Sequence, residues 1–159
     1  MKAPREEIEQ ATRAYIATRE AIERDELHWV ALREHFTDDA VYIDPAWGRV
    51  VGLDNIVHFF DESMRGLEDW DFPIEGWTVM NDEFVLVKWT QILPPDANGV
   101  RREQSGLSTM RYAGNSKFDY DEDILNMIHV NEDLRAAGWR PKPEFVFPPR
   151  DPDRDWSRP

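Results

Sequence analysis

Phe36-Thr-Asp-Asp-Ala-Val-Tyr-Ile-Asp-Pro-Ala-Trp-Gly-Arg-Val-Val-Gly-Leu-Asp-Asn-Ile-Val-His-Phe-Phe60 decides how this chain is read. Ala40 to Ile43 forms an apolar, β-favouring strand, with Asp44 at its end. Pro45-Ala46-Trp47-Gly48 makes a turn, and a helix starts near Gly52. Asp54 sits in that helix's first turn, where negative charge is stabilising, and Gly66 ends it. Ile56, Val57, Phe59 and Phe60 supply its apolar face. Asp44 follows apolar residues and has aromatic neighbours. Its carboxylate is either a base in a poorly hydrated place or an ordinary turn cap.

Upstream, residues 5–24 carry Ile8, Ala11, Tyr15, Thr18 and Ile22 at three- and four-residue steps, the period of an amphipathic helix. A second helix is expected over 26–35, with Leu27, Val30, Ala31 and Leu32 on one side. Downstream the character turns to β. The spans 71–80 and 83–93 flank Asn81-Asp82, a hairpin signal, and 101–112 meets 117–120 across Ala113-Gly114-Asn115-Ser116. A last helix is expected over 121–137, because Asp121-Glu122-Asp123 suits a helix N-terminus and Gly138 a helix end. Residues 1–140 then form one α+β domain, and 141–159 a Pro-rich arm with six prolines. Phe145, Val146, Phe147 and Trp156 are too apolar for a free tail, so the arm is expected to pack on its own domain or on a neighbouring subunit.

The 159 residues suffice for one real core. Seven Trp and eight Phe make that core, or a ligand cavity within it, unusually aromatic. There is no cysteine, hence no disulfide framework and no thiol chemistry. A net charge of −13 with no basic stripe argues against nucleic acid. The amino terminus becomes charged at once, and no apolar run approaches the roughly 20 residues of a membrane span. A cytoplasmic protein is the expectation. His28, His35 and His58 show no metal-ligand spacing with Asp or Glu, so no metal site is expected. There is no phosphate loop and no nucleophile elbow.

The residues Phe36-Thr-Asp-Asp-Ala-Val-Tyr42, Asp44-Pro45, Gly52, Ile56 and Phe60 resemble the SnoaL-like branch of the nuclear-transport-factor-2-like superfamily, over roughly 8–120. The resemblance implies a cone-shaped, curved antiparallel sheet packed by the N-terminal helices around an apolar cavity, here with an extra C-terminal helix and arm. It also implies a homodimer, joined through the outer sheet face, and chemistry without cofactors. Members include ketosteroid isomerases, polyketide cyclases, dehydratases, epoxide hydrolases and non-catalytic binding proteins. By the isomerase pattern Asp44 occupies the base position and Tyr15 the oxyanion-donor position on the first helix. Ser108 stands where the isomerases have a protonated Asp, and removing such a donor typically lowers rate on the order of a hundredfold. The epoxide hydrolase Asp-Arg-Asp arrangement is not evident.

The remaining candidates each keep two readings. Trp47, Phe60 and Trp89 either line a cavity or fill a core. Gly106, Ser108, Met110 and Tyr112 share one strand face, where Gly106 leaves room for a ligand or marks a bend. Tyr15 either donates into a cavity or is a core tyrosine. His129 is a second acid/base or a histidine satisfied at the helix surface. Asn126 and Tyr120 are candidates at the cavity mouth. The functional expectation is an isomerase, cyclase or dehydratase moving protons on a carbonyl-bearing polycyclic or aromatic substrate. The alternatives are a binding module for a small apolar molecule, or an assembly protein with a filled interior.

Overall fold

The computed structural model describes residues 3–159. Helix α1 (Arg5–Glu23) buries Ile8, Ala11, Thr12, Tyr15, Ile16, Arg19 and Ile22 along one face, as its periodicity requires. The expected second helix is a 3-10 segment, Trp29–His35, opened by a hydrogen bond from the Val30 N–H to His28 Nδ1. Strand β1 (Phe36–Asp44) is longer than the sequence suggested, and the turn after Asp44 leads into a short unanticipated strand, β2 (Gly48–Val51). Helix α2 (Leu53–Met64) follows, then β3 (Ile74–Met80), β4 (Phe84–Ile92), β5 (Glu103–Gly114), β6 (Lys117–Leu125) and helix α3 (Met127–Ala136).

The six strands form one unclosed sheet in the order β2-β1-β6-β5-β4-β3. It is mixed rather than wholly antiparallel, since β1 runs parallel to β6. The two hairpin turns hold Asn81, Asp82, Asn115 and Ser116 at positive φ, a conformation that short polar side chains tolerate. Among the described residues no helix is long and apolar enough to cross a membrane. The core on the inner face is aromatic. Phe36, Tyr42, Phe59 and Phe60 meet at ring-centroid distances of 5.2–6.1 Å.

The sequence reading fails at 121–125. Asp121-Glu122-Asp123 lies in β6, and α3 starts only at Met127, capped by the Asn126 side chain, which accepts from Ile128 N and His129 N. The residues favour a helix start, but β6 is a central strand with β5 on one side and β1 on the other. Pairing on both edges overrides local preference. The register also shifts. Arg111 pairs with Tyr120, but Tyr112 pairs with Phe118, so Asp119 is an extra residue in β6. One inserted residue exchanges the two faces of a strand. Tyr120 therefore joins Val41 and Ile43 in a small cluster on the outer face, and Asp121 and Asp123 turn inward opposite Met110 and Ser108.

The carboxy-terminal arm packs on its own chain. Phe145 stacks edge-on against Trp139 at 5.4 Å, and Trp139 against Trp70 at 5.7 Å. Further along, the Tyr120 hydroxyl donates to the Trp156 carbonyl at 3.3 Å, and the Arg158 guanidinium lies 5.0 Å over the Phe84 ring.

Candidate active site

A cavity of about 340 Å³ opens between the inner sheet face, α2, α3 and the arm. Tyr42 and Asp44 of β1, Trp89 and Gln91 of β4, and Asp123 of β6 line its sheet side. Phe59, Phe60, Trp70 and Phe145 are among its aromatic walls. Arg19 is the single cation among the described lining residues.

Asp44 ends β1 on the same face as Tyr42, two residues before it. Its Oδ1 accepts the N–H groups of Ala46 and Trp47, both at 2.7 Å, so the turn that ends the strand also fixes the carboxylate. Among the described residues, Oδ2 has no hydrogen-bond partner. Burial pushes the Asp44 pKa up to about 6, and the negative charge of Asp123 adds to this. The two backbone N–H bonds and Arg154 act in the opposite sense.

Asp123 is the carboxylate that sequence reasoning missed. Its Oδ2 accepts the Tyr42 hydroxyl at 2.6 Å, and its Oδ1 accepts the Ser108 hydroxyl at 2.5 Å. Ser108 in turn accepts the Trp89 indole N–H at 3.0 Å. Burial raises the pKa of Asp123, and the two hydroxyl donors oppose that rise. Asp121, with 0% exposure, has no hydrogen-bond partner at either side-chain oxygen among the described residues. Burial and the nearby Asp123 raise its pKa well above the ordinary aspartate value. Asp121 lacks the hydroxyl donors that hold Asp123, so it is the member of the pair whose pKa burial raises further.

Arg19 was also missed. It follows Tyr15 by four residues on the apolar face of α1, and that spacing was the signal available. Its guanidinium lies 4.8 Å over the Trp29 ring and donates to the Phe72 carbonyl at 3.2 Å and to the Tyr15 hydroxyl at 3.4 Å.

The structure brings Asp44, Trp47, Phe60 and Trp89 together around the cavity and leaves the other sequence candidates outside its wall. Tyr15 is 1% exposed, wedged edge-on against Phe36 and Phe118, so it is a core tyrosine. Ser108 has its proton committed to Asp123. Met110 is fully buried in the core. Gly106 leaves no ligand room, because the Trp89 indole lies where its side chain would be; a Cβ there would sit 2.4 Å from three ring atoms. Tyr120 is on the opposite sheet face, since the Asp119 insertion put it there. Asn126 caps α3, and it and His129 border a separate polar recess with Glu103, Gln104 and Asp133. Among the described residues no group of three or more His, Asp or Glu is placed to hold a metal ion.

A carboxyl whose folded pKa exceeds its unfolded value stabilises the fold least at high pH; stability falls as pH rises from about 4 through the folded pKa. Wild-type stability should therefore decline from pH 4 toward pH 8. Asp121→Asn should flatten that decline, as measured by urea unfolding across the range. An unchanged slope in the variant would mean that Asp121 does not hold a proton.

The SnoaL-like domain family matches residues 13–116, well over half of the chain. The chain belongs to the SnoaL-like family. The match ends before β6, so Asp121, Asp123, α3 and the arm lie beyond it. No curated protein matches the sequence. Among solved structures the chain is similar to TerC co-crystallised with polyporic acid, at 14% identity and a TM-score of 0.62 over 81% of this chain and 98% of that one. It is also similar to a protein designated a SnoaL-like polyketide cyclase from Shewanella putrefaciens CN-32, at 14% identity and a TM-score of 0.62, covering 85% and 88%. A Catenulispora acidiphila DSM 44928 protein with a ketosteroid isomerase-like fold, in complex with trimethylamine, matches at 18% identity and a TM-score of 0.61, covering 79% and 93%. At these identities the likeness is one of fold.

Proposed function

We propose that this chain is a cofactor-free enzyme that moves protons on a carbonyl-bearing aromatic or polycyclic substrate. One observation carries the reading: Asp44 lines the cavity with one oxygen fixed by two backbone N–H groups, the other without a partner among the described residues, and a pKa pushed up to about 6. A base acts best when its pKa lies near the working pH. In the proposed step Asp44 Oδ2 takes a proton from the carbon next to the substrate carbonyl, and the C–H electron pair becomes an enolate. The protonated Asp44 then returns the proton to another carbon, which is isomerisation; or the enolate carbon attacks a second carbonyl, whose π pair becomes an alkoxide that takes the proton back from Asp44, which is cyclisation. Arg19 is the lining group able to offset the enolate charge, in place of the Tyr15 and Ser108 expected from the resemblance. Asp123, held by Tyr42 and Ser108, keeps a fixed negative charge near Asp44 and so maintains its basicity.

The second reading is a binding module for an apolar metabolite, favoured by the aromatic walls. A panel of aromatic and polycyclic ketones separates the two. Binding is followed by native mass spectrometry and exchange of α-protons by NMR in D2O. The enzymatic reading expects accelerated exchange that rises with pH through a single ionisation near 6. Binding without exchange would leave the binding module, and neither result would dismiss both readings.

A further inference from the structure

The carboxy-terminal arm touches the turn that holds Asp44 at successive points. The Arg154 guanidinium donates to the Pro45 carbonyl at 2.7 Å, directly beside Asp44. Arg49 N–H donates to the Asp153 carbonyl at 2.9 Å, and the Arg49 guanidinium donates to the carbonyls of Asp155 at 3.2 Å and Ser157 at 2.5 Å. Gly48, at φ +79°, is packed so closely that a Cβ would come within 2.5 Å of the Asp153 carbonyl oxygen. The stretch Pro45–Arg49 is thus held on one side by its pairing with β1 and on the other by the arm. Earlier arm residues, Phe145 to Pro148, form part of the cavity wall itself. The arm lies outside the segment that carries the family match, whereas the turn it holds lies within it.

We propose that the arm is a working part of the site, with Arg154 as a positioning residue that fixes the Asp44 turn and places a positive charge beside it. The function built on Asp44 is the reading proposed above, and this inference rests on that reading for its catalytic consequence only. The groups around Asp44 are few. Asp123 faces it from β6, Tyr42 shares its strand, Arg19 reaches the same cavity from α1, and Arg49 and Arg154 come from β2 and the arm. The lining residues of α2 and α3 carry no ionisable side chain. Arg154 lowers the Asp44 pKa, and burial and Asp123 raise it, so losing Arg154 shifts the titration upward.

The test uses the full-length chain carrying Arg154→Gln, with Arg154→Lys as the conservative variant and Arg150→Gln as a charge control on the same arm. Asp44 is titrated by carboxyl carbon NMR, and kcat and KM are measured on a ketone found active in the exchange assay. Arg154→Gln should raise the Asp44 midpoint by about 0.5 pH unit. It should also lower kcat about tenfold with KM nearly unchanged, the signature of a misplaced group rather than lost binding. Arg154→Lys should recover part of both effects, and Arg150→Gln should show neither. A truncation after Pro148, which keeps the cavity wall, should reproduce the midpoint shift. An Asp44 midpoint unmoved in a folded Arg154→Gln protein would overturn the inference. If instead the midpoint moves while kcat does not, positioning by the arm stands and the catalytic reading of Asp44 falls.

Discussion

Replacing Asp44 with Asn should lower turnover about a thousandfold while making the protein more stable at pH 8. The loss follows from the chemistry, since an amide cannot take a proton and a positioned base contributes on the order of 10²–10⁴ in rate. The gain in stability follows from the same burial. Raising the carboxyl from 3.8 to about 6 disfavours the folded state at pH 7 and above, by on the order of 3 kcal/mol. The amide carries no such penalty and its oxygen can still accept from Ala46 and Trp47. After allowance for imperfect fit, about 1–3 kcal/mol of that should appear as a gain, raising Tm by several degrees. The sign is specific. The gain should be present at pH 8 and shrink toward pH 4, because the wild-type carboxyl is then protonated in the folded state and about half protonated in the unfolded one. Scanning calorimetry at the two pH values, paired with the exchange assay, reads both effects. A variant that lost stability at pH 8 would show that the carboxylate is held favourably and is not strained.

Gly106→Ala should be strongly destabilising for a change of one methyl group. The new Cβ would lie 2.4 Å from Cδ2, Cε2 and Cε3 of the Trp89 indole, far inside contact distance. The obstacle is a rigid ring that is only 6% exposed, so it cannot step aside into solvent. Moving it breaks the indole N–H bond to Ser108 at 3.0 Å and leaves Ser108 and Asp123 less well fixed. Overpacking of this kind costs about 1–3 kcal/mol, and a lost buried hydrogen bond adds roughly 1 kcal/mol. The expected loss is about 2–4 kcal/mol, or a Tm lower by about 5–15 °C for a chain of this size. Chemical denaturation measures it. A drop below about 0.5 kcal/mol would mean that the indole has room to shift. In that case Trp89→Leu in the Gly106→Ala background should restore nothing, whereas the account expects the pair to couple strongly.

These two sites also show what was legible beforehand. The period of α1, the strand–turn–helix stretch from Phe36 to Phe60, and the Asn-bearing turns are local patterns, and each specified its element through backbone and burial rules acting over a few residues. Asp44 was visible for the same reason, because its place at a strand end before proline is encoded within five positions. Asp123 was not. Its inward direction depends on the extra residue Asp119, and that insertion appears only once β6 is paired with β5. The sequence Asp121-Glu122-Asp123 has the local chemistry of a helix start, and two-sided strand pairing overrode it. Gly106 was found, but with the opposite meaning: the missing side chain makes room for an indole of the protein itself. Arg19 sat in plain view on an apolar helix face, but a buried cation shows as such only against the Trp29 ring that receives it.

The central claim is that the Asp44 carboxyl sits in a poorly hydrated cavity with its basicity raised for proton transfer. Its most direct test is the carboxyl carbon titration of Asp44 by NMR in the free wild-type protein, with the signal assigned by its absence in Asp44→Asn. The account predicts a midpoint near 6. A midpoint near 4, the ordinary value of a hydrated aspartate, would contradict it.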